Sequence, residues 1–133
     1  MEIIAALFMD DIELRSVPGP STRIDLGGIQ FSAPAPSPVP VTIAPHLVVL
    51  IWCPADAKNV AALQVEFRME GAAEDSEPMA RNVQALEIEP GKFNYRLVRA
   101  DLAMEEYGTV IAHCQLDQGP VSVVPYTLLT PVG

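Results

Sequence analysis

Lysine is almost missing from this chain: Lys58 and Lys92 are the only two in 133 residues. Eight basic residues stand against seventeen acidic ones, a formal net charge of −9. So acidic a chain repels phosphate backbones and anionic lipid surfaces, which excludes nucleic acid and membranes as expected partners. The charge keeps an otherwise apolar protein in solution. Two histidines and two cysteines leave little material for zinc. His46, Cys53, His113 and Cys114 show neither a Cys-x-x-Cys nor a His-x-x-x-His spacing. His113 and Cys114 are neighbours on a candidate strand, so they point to opposite faces.

Catalytic signatures are missing as well. No Gly-x-Ser-x-Gly elbow occurs. Gly27-Gly28 has no following helix to offer its N-terminus to a phosphate. A dyad of Cys114 with His46 needs an exposed cysteine of lowered pKa. Cys114 instead falls on the apolar side of its strand, where cysteine is an inert small hydrophobe. Glu105-Glu106 has no identifiable partner across a cleft. The sequence thus points to a non-enzymatic protein with no catalytic, cofactor-binding or metal-binding residues.

Export and membrane segments are not evident. Residues 1–9 are apolar but few, and Glu2 stands where a signal peptide carries positive charge. The run Leu47 to Trp52 falls far short of the ~18 residues of a span. The expectation is a cytoplasmic protein with Cys53 and Cys114 as free, buried thiols.

What the chain has is apolar material and proline. Half of its residues are hydrophobic and 19% are charged, a balance that favours a packed core over disorder. Thirteen prolines leave little room for long helices. The dominant period is two. Over 60–69, Leu63, Val65, Phe67 and Met69 share one side, with Gln64, Glu66 and Arg68 on the other. Over 109–116, Val110, Ala112, Cys114 and Leu116 alternate with Ile111, His113 and Gln115. Gln118-Gly119-Pro120 then turns into a strand over 121–129, making a hairpin. Leu86 and Ile88, then Phe93, Tyr95 and Leu97, flank the Glu89-Pro90-Gly91-Lys92 turn, which reads as a second hairpin over 83–99. Between the hairpins, 100–107 predicts one short helical turn ended by Gly108.

Three segments depart from simple alternation. Residues 2–9 and 46–53 are apolar at nearly every position, as in strands covered on both faces. Residues 24–31 change parity across Gly27-Gly28, the mark of a β-bulge. Prolines at 34, 36, 38, 40 and 45 predict a stiff, extended crossover. The acidic 70–82 stretch reads as a solvated loop. Together these elements predict one domain over 1–133, all-β: an antiparallel β-sandwich, immunoglobulin-like, of about seven to nine strands.

Phe8-Met9-Asp10-Asp11, then Ile24-Asp25-Leu26-Gly27-Gly28-Ile29, then the apolar strand from Leu47 to Ile51 and the Glu89-Pro90-Gly91-Lys92-Phe93 turn, resemble a family of small uncharacterised bacterial β-sandwich proteins. That likeness implies the sandwich fold and brings no activity or site residues with it. The proline-rich 33–45 stretch departs from it.

Two functional expectations follow. The leading one is a protein-interaction or self-associating module, with a homodimer as the expected partner state. The apolar faces of 2–9 and 46–53 outnumber the single interior of a sandwich, and symmetric pairing is the commonest way to cover the surplus. The alternative is a small-ligand or metal-ion domain using Asp10, Asp11 and Asp25. Carboxylates gathered at one end of a sandwich suit calcium. Asp10-Asp11 also serves simply as a turn.

Overall fold

The structure, a computed structural model, describes residues 1–16 and 22–132. It is all-β, and among these residues twelve strands form. They are β1 (Glu2–Phe8), β2 (Asp11–Ser16), β3 (Thr22–Gly27), β4 (Ser32–Pro34), β5 (Val41–Ile43) and β6 (His46–Trp52) in the first half. The second half gives β7 (Val60–Met69), β8 (Ala80–Glu87), β9 (Phe93–Arg99), β10 (Leu102–Met104), β11 (Gly108–Leu116) and β12 (Val121–Leu129). The count exceeds the sequence expectation because short pieces such as β4, β5 and β10, three residues each, carry too little pattern to be read.

Four sheets result. The largest has the order β4-β12-β11-β7-β8 and curls as a half-barrel. It is mixed rather than purely antiparallel, because β4 runs parallel to β12. A three-stranded antiparallel sheet has the order β1-β6-β9. β2 pairs with β3, and β5 with β10.

Alternation on β7 and β11 is what builds the core. Their register sets Val65 opposite Cys114 and Phe67 opposite Ala112, so both apolar rows face the same way. Leu63, Val65, Phe67, Val110, Ala112 and Cys114 are buried, as expected from the period of two. Phe8, Leu47, Val49, Ile51 and Val98 from the three-stranded sheet join them in one cluster. The Phe8 and Tyr126 rings meet at 5.0 Å, tilted by 54°. Each such side chain contributes about 1.5–3 kcal/mol by leaving water. Leu102, Met104 and Ala35 complete the cluster.

Several local expectations are corrected. The predicted 83–99 hairpin does not form: β8 pairs with β7, and β9 pairs with β6. The Glu89–Lys92 turn instead carries the chain from one sheet to the other. It is fastened to the end of β6 by Gly91 N donating to Cys53 O (2.7 Å) and Cys53 N to Lys92 O (2.9 Å). On β9 the buried residue is Val98, and Leu97 is 48% exposed, the reverse of the expected face.

The bulge at Gly27-Gly28 is also absent; β3 stops at Gly27, and Gly28 takes φ +65°. A Cβ at Gly28 would lie 2.9 Å from Asp10 Cβ, so this close approach requires glycine. A bulge lies in β1 instead, where the register shifts between Ile3 and Ala5. Residues 102–104 form β10 in place of a helical turn. The proline-rich segment is more than a crossover: Val39, Val41 and Ile43 pack on the core, and Val39 N donates to the Tyr107 hydroxyl at 3.3 Å. The 109–129 hairpin forms as read, with Val110 opposite Tyr126.

Candidate functional site

The acidic residues singled out in the sequence fall at the base and along one side of the β2–β3 hairpin. Asp11 pairs in register with Gly27, and Glu13 with Asp25. Asp25 Oδ1 accepts from Arg23 Nε at 3.1 Å, an ion pair close to the surface. Asp10 N donates to the carbonyls of both Gly27 and Gly28 at 3.1 Å. The Asp10–Gly28 contact is therefore a latch at the hairpin base. Among the described residues no group of three or more His, Cys, Asp or Glu is arranged to hold a metal ion.

The two thiols lie inside, both at 0% exposure. Burial pushes the Cys114 thiol up to about 11, which suppresses the thiolate that nucleophilic chemistry needs. Cys53 Sγ lies 3.7 Å from the carbonyls of Pro54 and Lys58. Tyr126 is also raised, by burial first and then by the Asp10 charge.

Two surfaces remain. The first is the outer side of β1-β6-β9. Register places Leu7, Val48 and Leu97 in one row, Ala5, Leu50 and Tyr95 in the next, and Glu2, Trp52 and Phe93 in a third. Burial is graded along it. Val48 is fully buried yet outside the main core, Leu50 and Tyr95 are half-buried, and Trp52 and Phe93 are 41% and 37% exposed. Ile4, the extra residue of the β1 bulge, is 59% exposed beside them. The doubly apolar character of 46–53 is thus real, and its second face is covered over Val48 but open at Trp52 and along β9, where Leu97 is 48% exposed.

The second surface is a groove of about 540 Å³ on the outer side of β7, β11 and β12, bounded by the residues after β7. A chain of side chains runs through it. Arg81 Nη2 donates to Gln64 Oε1 (2.7 Å), and Gln64 Nε2 to Glu66 Oε1 (2.7 Å). Arg68 Nη2 donates to Glu66 Oε2 (3.1 Å) and to the Ser76 carbonyl (3.1 Å). This Arg68–Glu66 pair is largely shielded from solvent. Sequence reading placed Gln64, Glu66 and Arg68 on a wet face and 70–82 in a solvated loop, and missed that Arg68 ties the two together. The only available signal was two opposite charges two residues apart, on the same side of a strand.

No protein-family model matches the chain, and no curated protein matches it.

Proposed function

We propose that the protein is a non-enzymatic interaction module that self-associates, as a homodimer, through the outer side of β1-β6-β9. The observation that carries this is the exposed Trp52–Phe93 pair at one end of an apolar sheet face. Large aromatic side chains are the residues that concentrate binding energy at interfaces. A second copy is the occupant that the charges favour. Two chains of net charge −9 repel, so they meet best where neither is charged. The middle of this face is uncharged, and its charges lie at opposite corners: Glu2 beside Trp52, and Arg99 at the far end of β9. A two-fold axis perpendicular to the Glu2–Arg99 diagonal brings Glu2 of each copy over Arg99 of the other. Because this face is longer than it is wide, the strands of the two copies then cross obliquely.

Three strands of seven residues span roughly 14 by 23 Å of sheet, part of which is covered over Val48. That is small for a permanent interface, so the association is weak and reversible. We also read the five-stranded and three-stranded sheets as the two layers of a sandwich, immunoglobulin-like in architecture and within one domain. The shared cluster of residues from both sheets supports this. The cytoplasm suits a chain whose two cysteines are unpaired. A resemblance to small bacterial β-sandwich proteins is part of the same reading and assigns no activity.

Light scattering coupled to gel filtration tests the proposal. The mass is expected to rise from 14.3 kDa toward twice that value as concentration increases. Trp52→Ser with Phe93→Ser should hold it at one chain. Glu2→Arg should weaken pairing, and adding Arg99→Glu should restore it. A wild-type mass fixed at one chain across the concentration range overturns the proposal.

A further inference from the structure

The groove on the five-stranded sheet stands apart from the proposed dimer face and does not depend on it. We propose that it binds an aliphatic ammonium group, supplied either by a free alkylamine or by a lysine side chain of a partner. Four observations converge on that chemistry. The volume of about 540 Å³ lies within the range of small-ligand sites. Its charge is negative: Glu66, Glu70 and Glu74 line it against Arg68. Arg68 Nε and Nη2 are already held by Glu66 and the Ser76 carbonyl, so most of the guanidinium's donors are engaged within the protein.

Glu66 is, by contrast, a positioned acceptor. One hydrogen bond reaches each of its oxygens, from Gln64 and from Arg68, while an ionised carboxylate offers about four lone-pair sites. Gln64 is itself fixed by Arg81, so the carboxylate does not have to be ordered when a ligand arrives. Gln115 donates its amide nitrogen to the Gly119 carbonyl, which leaves its oxygen as a further acceptor on the same face.

The apolar part of the ligand is the fourth point. Ile111 sits across from Arg68 on β11, and Val121 and Val123 lie one strand further on. Val121 and Val123 are 51% and 60% exposed, an open methyl floor beside a carboxylate. Val123 and Glu66 are two strands apart, both opposite His113, a span of roughly 10 Å. An alkyl stem fits along that floor with its ammonium at Glu66. No Phe, Tyr or Trp is among the residues lining the groove, and the His113 imidazole lies between Glu66 and Val123.

Titration of the full chain followed by NMR is the test, with 1-aminopentane and a capped Ala-Lys-Ala peptide as probes. Saturable shifts are expected at the Ile111, Val121 and Val123 methyls and at the Gln64 and Gln115 amides. Glu66→Gln should weaken binding by tenfold or more, and Val123→Gln, at an exposed site that leaves the fold intact, by several-fold. The probe that binds more tightly identifies the source of the ammonium. The proposal is overturned if neither probe gives saturable shifts, or if magnesium chloride or 1-pentanol gives the same ones. Binding indifferent to both substitutions overturns it too.

Discussion

The two larger sheets place their apolar residues in opposite ways. On β7 and β11 the inner rows are apolar and the outer rows carry Gln64, Glu66, Arg68, His113 and Gln115, while Val121 and Val123 are exposed on the outer side of β12. On β9 the inner row holds Asn94, Arg96 and Val98, while the outer row holds Phe93, Tyr95 and Leu97. The central strands of the five-stranded sheet meet water mostly with polar side chains, and the three-stranded sheet keeps its aromatic ones outside. An apolar outer row adds nothing to the stability of a single chain in proportion to its size. It makes sense as a surface for something else, and this is the physical basis for assigning association to the three-stranded sheet.

The largest test of that contrast is a pair of truncations. Phe67→Ala removes a ring that is 1% exposed and should cost ~3–5 kcal/mol. Phe93→Ala, on the outer row, should cost under about 1 kcal/mol in the monomer. Chemical denaturation at low concentration measures both. Equal losses would mean that the Phe93 side belongs to the core and that the contrast between the sheets is false.

A smaller effect sharpens the description of the five-stranded interior. The Cys114 thiol is raised from 9.0 to about 11 by burial. The unfolded chain therefore ionises first as pH rises. The thiol's contribution to stability is fully present below about pH 9, declines through the interval, and is lost by about pH 11, a drop of roughly 2–3 kcal/mol. Tyr126, raised in the same direction, extends the decline to higher pH. Urea denaturation at steps across this interval should show the slope, and Cys114→Val should flatten it between pH 9 and 11. A slope unchanged in that variant would show that Cys114 is hydrated in the folded protein.

Which elements were legible in the sequence follows from the same contrast. β7, β11 and β12 are long, and β7 and β11 cover one apolar face, so a period of two identifies the strands, and on those two it gives the correct face. β9 has the same period, but its apolar face is the outer one, so hydrophobicity alone inverts it. The Glu89-Pro90-Gly91-Lys92 turn was recognisable as a change of direction. Turn residues do not say whether the next strand returns to its neighbour or crosses to another sheet, and here it crosses.

The Gly27-Gly28 pair reads as a bulge, whereas the strand ends there and Gly28 takes φ +65°. Its cause, the approach of Asp10, depends on residues seventeen or more positions away and has no local signature. Of the candidate sites, the surplus apolar face of 46–53 was readable from composition. The groove was not, because it needs the register of three strands and the hydrogen bonds of Arg68.

The order β1-β6-β9 also has a kinetic meaning. No two neighbours in that sheet are consecutive along the chain, whereas β7–β8 and β11–β12 are hairpins. Joining Ile3 to Ile51, and Ile51 to Asn94, closes two long loops before either pairing gains its reward. The hairpins close short ones. The three-stranded sheet is therefore the late-forming part of the molecule, and its aromatic outer row is displayed only once folding is nearly complete. Pulse-labelled hydrogen exchange during refolding should find the β11 and β12 amides protected before those of β1, and simultaneous protection would refute this sequence of events.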